Sequence, residues 1–228
     1  MQIQGSIALV TGANRGLGRH FADQLLERGA AKVYAAARRP ELVDLPGVEP
    51  LQLDITDPGS VAAAVRTAAD ATLLINNAGI ANTADLLTGD LDLARAEMET
   101  NFWGTLTVIR AFAPQLAGGA ILNVLSALSW ASFPGSGGYA ASKAAEWSLT
   151  NGVRLELAAQ QTQVTGLHLG PADTDMTAAH DVPKTAPAVV VKAALDGLEA
   201  GKWEVLADEM PRVVKAALAG DPEAFYTR

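Results

Sequence analysis

The chain has 228 residues, 49% of them hydrophobic and 18% charged, with 21 Gly, 11 Pro and no Cys. That length suits one large domain, and the lack of cysteine excludes a disulfide scaffold, thiolate metal sites and thiol catalysis. With 25 acidic against 17 basic residues the net charge is −8, so no overall field draws nucleic acid or anionic lipid, and a bound anion must be held locally. The N-terminus carries no basic region, and the apolar runs fall short of the roughly 20 residues that cross a bilayer. Three His, with no pair at ligand spacing, argue against zinc. These features are those of a soluble cytoplasmic protein with no nucleic-acid or membrane partner.

In chain order, short β-branched apolar runs alternate with longer amphipathic stretches. Strands are predicted at 7–10, 32–36, 48–53, 73–75, 120–125 and 164–169, and helices at 16–27, 59–69, 91–116 and 139–160. Repeated strand, helix, strand requires right-handed crossovers. The fold class is therefore α/β, a doubly wound parallel sheet with helices on both faces, in one Rossmann-type three-layer domain over 1–228. After Gly170 the pattern loosens. Pro171, Pro183 and Pro187 mark a substrate-side cap segment over 170–200 that includes a helix near 188–199. Residues 208–228 form a C-terminal helix, about 209–218, and a tail. Residues 203–206 are long enough for a short seventh strand.

The first strand runs into Thr11-Gly12-Ala13-Asn14-Arg15-Gly16-Leu17-Gly18, which opens directly into a helix. Glycines in such a turn permit positive φ and let backbone approach a pyrophosphate, whose charge then meets the unpaired N–H groups of the helix. A strand before the turn and a helix after it make a dinucleotide site the stronger reading and a plain turn the weaker one. The second strand ends in Ala35-Ala36-Ala37-Arg38-Arg39, with small neutral residues where an acid would hold a 2′-hydroxyl. Arg38 and Arg39, with Arg15 from the glycine loop, suit a 2′-phosphate, so NADP(H) is preferred over NAD(H). The competing reading makes the two arginines a solvated loop pair. Two roles also fit Asp54-Ile55 at the end of the third strand. Asp54 accepts from the adenine amino group while Ile55 packs on the ring, or Asp57 caps the next helix and Asp54 only decorates the turn.

Tyr139 and Lys143 stand four residues apart, on one face of a helix. A nearby ammonium favours phenolate and so suits a tyrosine to acid/base chemistry, although this pair alone is common on protein surfaces. The ordered set Thr11-Gly12 through Gly18, Asp54, Asn76-Asn77-Ala78-Gly79, Asn101, Ser126 and Tyr139 with Lys143 resembles the short-chain dehydrogenase/reductase family of the classical type, over roughly the first 176 residues. The resemblance implies that Tyr139 gives a proton to a substrate carbonyl oxygen as hydride reaches carbon. It implies that Lys143 tunes the phenol and hydrogen-bonds the nicotinamide ribose, and that Ser126 orients the same carbonyl oxygen, as a preorganised donor should. Asn101 would hold a water leading protons to the lysine, with packing or helix bending as its alternative. Asn77, Ala78 and Gly79 would wall the adenosine side of the cofactor.

The sequence departs from the family at Leu169, where a proline usually precedes Gly170. Thr174 remains the candidate contact for the nicotinamide amide. No Gly-rich final strand is visible, which favours a homodimer through the helices of Asn101 and Lys143 over a tetramer. Leu128, Trp130, Phe133 and Met176 are expected to line an apolar, permissive substrate pocket under a small lid, with Trp130 and Phe133 alternatively in the core or an interface. The resulting function is reversible hydride transfer between NADP(H) and a small-to-medium hydrophobic aldehyde, ketone or secondary alcohol. A non-catalytic NADP(H) sensor is the alternative from another class, and an epimerase or dehydratase is disfavoured by the short C-terminal region.

Overall fold

The computed structural model describes residues 1–82 and 85–226; the last two tail positions lie outside the described residues. The strands are β1 Ile7–Thr11, β2 Lys32–Ala37, β3 Glu49–Gln52, β4 Leu73–Asn76, β5 Ala120–Val124, β6 Gln163–His168 and β7 Glu204–Leu206. Among the described residues they form one sheet in the order β3-β2-β1-β4-β5-β6-β7, with every pairing parallel. The central strands are buried on both faces, which is why they read as unbroken apolar runs. One face packs on α1 (Gly16–Glu27) and α6 (Pro187–Glu199) through Phe21, Leu25, Val191 and Leu195. The other packs on α2 (Pro58–Thr67), α4 (Thr105–Phe112) and α5 (Gly137–Glu156) through Val61, Val108, Phe112 and Val153. The α/β, doubly wound Rossmann-type architecture read from the pattern is the one found.

Several boundaries differ, each for a local reason. The helix expected over 91–116 is divided into α3 (Leu91–Glu97), a π-helical stretch Met98–Gly104, α4, and a 3-10 turn Ala113–Leu116. Gly104 lies so close to Ile55 that a Cβ there would meet its Cδ1 at 2.9 Å. Asn101, in mid-stretch, is turned aside to hold the loop at Ile80. A propensity pattern registers neither demand. The predicted strand 48–53 shortens to the edge strand β3, where Pro50 is tolerated. The short run at 203–206 does form a strand, β7, which extends the sheet beyond β6. After it come α7 (Glu209–Ala217) and an unforeseen short helix, α8 (Pro222–Tyr226). Between Gly170 and α6 the chain is irregular, with one 3-10 turn at Asp175–Thr177 and one bridge from Ala172 to Thr185. Among the described residues no helix is long and apolar enough to cross a membrane.

Candidate active site

Sheet order reverses at β1, whose neighbours are β2 on one side and β4 on the other, and a cleft opens at the C-terminal strand ends there. At its floor, Gly12 and Gly16 take φ of 67° and 54°, a region open to glycine without strain. Asn14, Arg15 and Leu17 line the same wall. Helix α1 starts here with no side-chain cap and no acid in its first turn, whereas Asp57, Asp90 and Asp208 cap α2, α3 and α7. Its first N–H groups are thus left for an anion. Gly18 is not on the wall. It lies behind the loop, where a Cβ would sit 2.2 Å from the Gly12 carbonyl oxygen, so its service is to let α1 pack against the loop.

The loop is braced from β4. Asn77 Nδ2 donates to the Thr11 and Gly12 carbonyls at 2.9 and 3.2 Å, and Thr11 Oγ1 accepts from the backbone N–H of both Asn77 and Ala78 at 3.0 Å. Ala78 and Gly79 line the cleft beside them.

At the far end, Arg38 is exposed and borders the cleft; Arg39 does not, and its carbonyl instead accepts from Leu42 N in the 3-10 turn Pro40–Leu42. Arg15 pairs with Asp175 at 2.8 Å, joining the glycine loop to the segment opposite, with side chains 68% and 75% exposed. The two roles open for Asp54 are separated here. Asp57 Oδ1 accepts from Gly59 N and caps α2, while Asp54 and Ile55 face the cleft. The Thr56 hydroxyl and N–H hold the Asp54 carboxyl below its usual range, with burial opposing them and Arg38 assisting.

At the near end, Tyr139 and Lys143 face the cleft from α5, and Ser126 meets it from the end of β5. Ser126 Oγ accepts from Leu128 N at 3.1 Å, while Ser129 points back to Ser126 N. Lys143 Nζ donates to the Val124 carbonyl at 2.8 Å and to Glu146 Oε2 at 2.6 Å, and lies 5.9 Å from the Tyr139 ring centroid. Burial pushes the Lys143 pKa down, but Glu146 and Tyr139 more than reverse this and leave it raised. Asn101 Nδ2 donates to the Ile80 carbonyl and Ser142 Oγ, both at 2.9 Å, and its Oδ1 accepts from Ile80 N. Gly170 and Thr174 close the wall; Thr174 faces the glycine loop, its methyl 3.5 Å from where a Gly16 Cβ would be.

Of the expected pocket residues Met176 lines the cleft, while Leu128, Trp130 and Phe133 do not. Trp130 instead stacks on His168 at 3.8 Å and 17°, and Phe133 is exposed on its loop. Sequence reasoning missed three buried ionisable groups: Glu97, Glu146 and His168. The first two had a signal in the pattern, since Ser142, Lys143, Glu146 and Thr150 recur at helical spacing on the buried face of α5, and Glu97 precedes Asn101 by one turn.

Comparison with known proteins agrees with this geometry. The family model described as short chain dehydrogenase matches residues 6–184. A short chain dehydrogenase from Burkholderia cenocepacia J2315, solved in complex with NADP, is 45% identical with a TM-score of 0.96, covering 100% of this chain and 98% of that one. The NADPH-dependent 1-acyldihydroxyacetone phosphate reductase of Schizosaccharomyces pombe is 36% identical over 73% of this chain; the match spans 60% of that longer protein. The 3-oxoacyl-(acyl-carrier-protein) reductase FabG of Vibrio harveyi is 33% identical, over 99% of this chain and 94% of the relative.

Proposed function

The chain belongs to the short chain dehydrogenase family, and from that premise we propose that it is an NADP(H)-dependent carbonyl reductase or alcohol dehydrogenase, acting reversibly on a small-to-medium hydrophobic aldehyde, ketone or secondary alcohol. An oxidoreductase activity with a nicotinamide cofactor follows from the family itself.

The residues present fit such a cofactor. Gly12 and Gly16 leave a cradle that a Cβ would fill, α1 offers uncapped N–H groups, and Arg38 and Arg15 line the same cleft as cations available to a 2′-phosphate. When bound, the cofactor supplies the hydride. In this reading Tyr139 passes a proton to the carbonyl oxygen, and Ser126 donates a hydrogen bond to the same atom as negative charge develops. The Lys143 ammonium favours the phenolate and hydrogen-bonds the nicotinamide ribose. Thr174 contacts the nicotinamide amide, Asp54 and Ile55 hold the adenine, and Asn101 keeps the Ile80 loop and α5 in register. The observation that carries the proposal is that a single cleft joins Arg38 at one end to Ser126, Tyr139 and Lys143 at the other. Two relatives named as reductases favour the reductive direction.

Calorimetric titration with NADPH and NADH, followed by a panel of aryl ketones and aliphatic aldehydes, tests the proposal. NADPH is expected to bind more tightly. Tyr139→Phe is expected to lose about 10²–10⁴ in kcat/KM with NADPH affinity unchanged, the range for a general acid. An unchanged rate in that variant would overturn the assignment and point to a protein that binds the cofactor without turnover.

A further inference from the structure

Lys143 is an ammonium in an expensive place. Its side chain is 7% exposed, and burial of this kind drives lysines toward the neutral form, to pKa values of about 5–6 in unpartnered cases. One carboxylate answers it. Glu146, a turn further along α5 and 2% exposed, puts Oε2 2.6 Å from Nζ, yet is absent from the cleft wall. Glu146 is itself fixed. Its carboxylate accepts from the Thr105 hydroxyl at the start of α4, and its carbonyl accepts from Thr150 Oγ1 at 2.8 Å. Thr150 in turn accepts from Asn123, and Asn123 from Asn76, each bond buried in the middle of the sheet. A polar chain thus runs from β4 to the backbone of the residue whose carboxylate holds the lysine.

We propose that Glu146 is a positioning residue for Lys143: its negative charge allows a fully buried ammonium to stay protonated and, with the Val124 carbonyl, it fixes Nζ at the cleft. The inference rests on the reading of Lys143 given above, but its test does not require turnover. The groups facing the pair are few. Tyr139 shares α5; Thr105 from α4 and the Val124 carbonyl from β5 carry no charge. From β6, His168 lies within electrostatic reach of Lys143 and is neutral above about pH 4, while Glu204 of β7 and Lys215 of α7 act on His168. Glu97 of α3 abuts Gly138. Burial pushes the Glu146 carboxyl up against the pull of Lys143 and Thr105, so the two groups titrate as a pair, and removing one charge changes the other.

The experiment is a ¹³C NMR titration of the full chain with lysine labelled at Cε, in which the Lys143 resonance is the one lost in Lys143→Met. In the unaltered protein Lys143 is expected to stay protonated into the alkaline range, since Glu146 and Tyr139 hold its pKa up. In Glu146→Gln, which keeps size and an acceptor but removes the charge, it is expected to titrate at least about two pH units lower. The same downward shift should appear in the pH profile of kcat/KM, with the loss growing as pH rises and staying less than about twofold at pH 6. A merely structural role would move neither curve. Lys143 titrating in Glu146→Gln as it does in the unaltered protein would overturn the proposal. If far-UV circular dichroism finds that variant unfolded, Thr105→Val decides: it keeps both charges, removes one partner of Glu146, and should lower the Lys143 transition by less than one pH unit, no shift being the overturning result. A shifted Lys143 without turnover on any carbonyl would count against the function proposed above and not against this inference.

Discussion

The two ends of the cleft hold cations under opposite conditions. Arg38 and Arg15, at the adenosine end, are solvent-exposed, and Arg15 is engaged only by an equally exposed Asp175. Lys143, at the reactive end, is buried, and its ammonium survives by a 2.6 Å contact with a buried carboxylate. A solvated guanidinium keeps its charge without help and is free to meet a ligand's phosphate; its pairing with Asp175 is worth about 0–1 kcal/mol. A buried ammonium needs a partner, and loss of one member of such a pair typically costs about 3–5 kcal/mol. The cofactor end therefore consists of backbone geometry plus interchangeable surface charge, and the reactive end of two buried polar groups, Lys143 with Glu146 and Thr105, and Asn101 with Ser142.

If this contrast is right, exposed cations should act on ligand affinity and leave the fold alone. Arg38→Ala should weaken NADPH by tens-fold, about 2 kcal/mol, because a phosphate loses a charge-assisted partner, and should change NADH by less than about threefold. Equal weakening of both cofactors in calorimetry would break the comparison. Buried groups should instead couple pH to stability, and His168 offers the test. Burial holds its pKa down to about 4, against the Ser126 carbonyl and Glu204, so the folded chain leaves it neutral where the unfolded chain, near the ordinary 6.5, is protonated. Between those values the unfolded state binds more protons, and stability falls as pH falls. Urea denaturation at pH 7.5 and 5.3 should reveal a loss on the order of 1–2 kcal/mol from this residue, and His168→Gln should remove that share of the slope. A slope unaltered in the variant would mean that other groups carry it. The smallest effect belongs to Asp175→Asn. Stability should change by less than about 0.5 kcal/mol, and NADPH should bind a few-fold more tightly as Arg15 is released. Weaker NADPH binding in that variant would show that Asp175 orders Arg15 for the ligand instead of competing for it.

Legibility followed the same division. The glycine loop, the arginines after β2, Asp54, Asn77 and the pair Tyr139 and Lys143 were readable because each depends on residue type at a local spacing, and Gly12, Gly16, Arg15, Arg38 and Ile55 do meet at one cleft. What the spacing did not carry was any placement that needed a neighbour from elsewhere in the chain. Gly18 serves the packing of α1 on the loop, Arg39 is absent from the cleft wall, and Trp130 stacks on a histidine 38 positions later. The π-helical stretch about Asn101 depends on Ile55 and Ile80, which no window along 91–116 contains.

By itself, then, the sequence determined the alternation of strands and helices, hence the parallel doubly wound sheet, and the chemistry available at the strand ends. Hydrophobic period and glycine placement are properties of consecutive residues, and so they can be read from them. Only the tertiary structure decided which charges are solvated and which are buried, and with that the partnership of Glu146 and Lys143. Burial is set by what the rest of the chain lays over a residue, and a carboxylate one turn from a lysine becomes a determinant of its charge only when water is excluded from both.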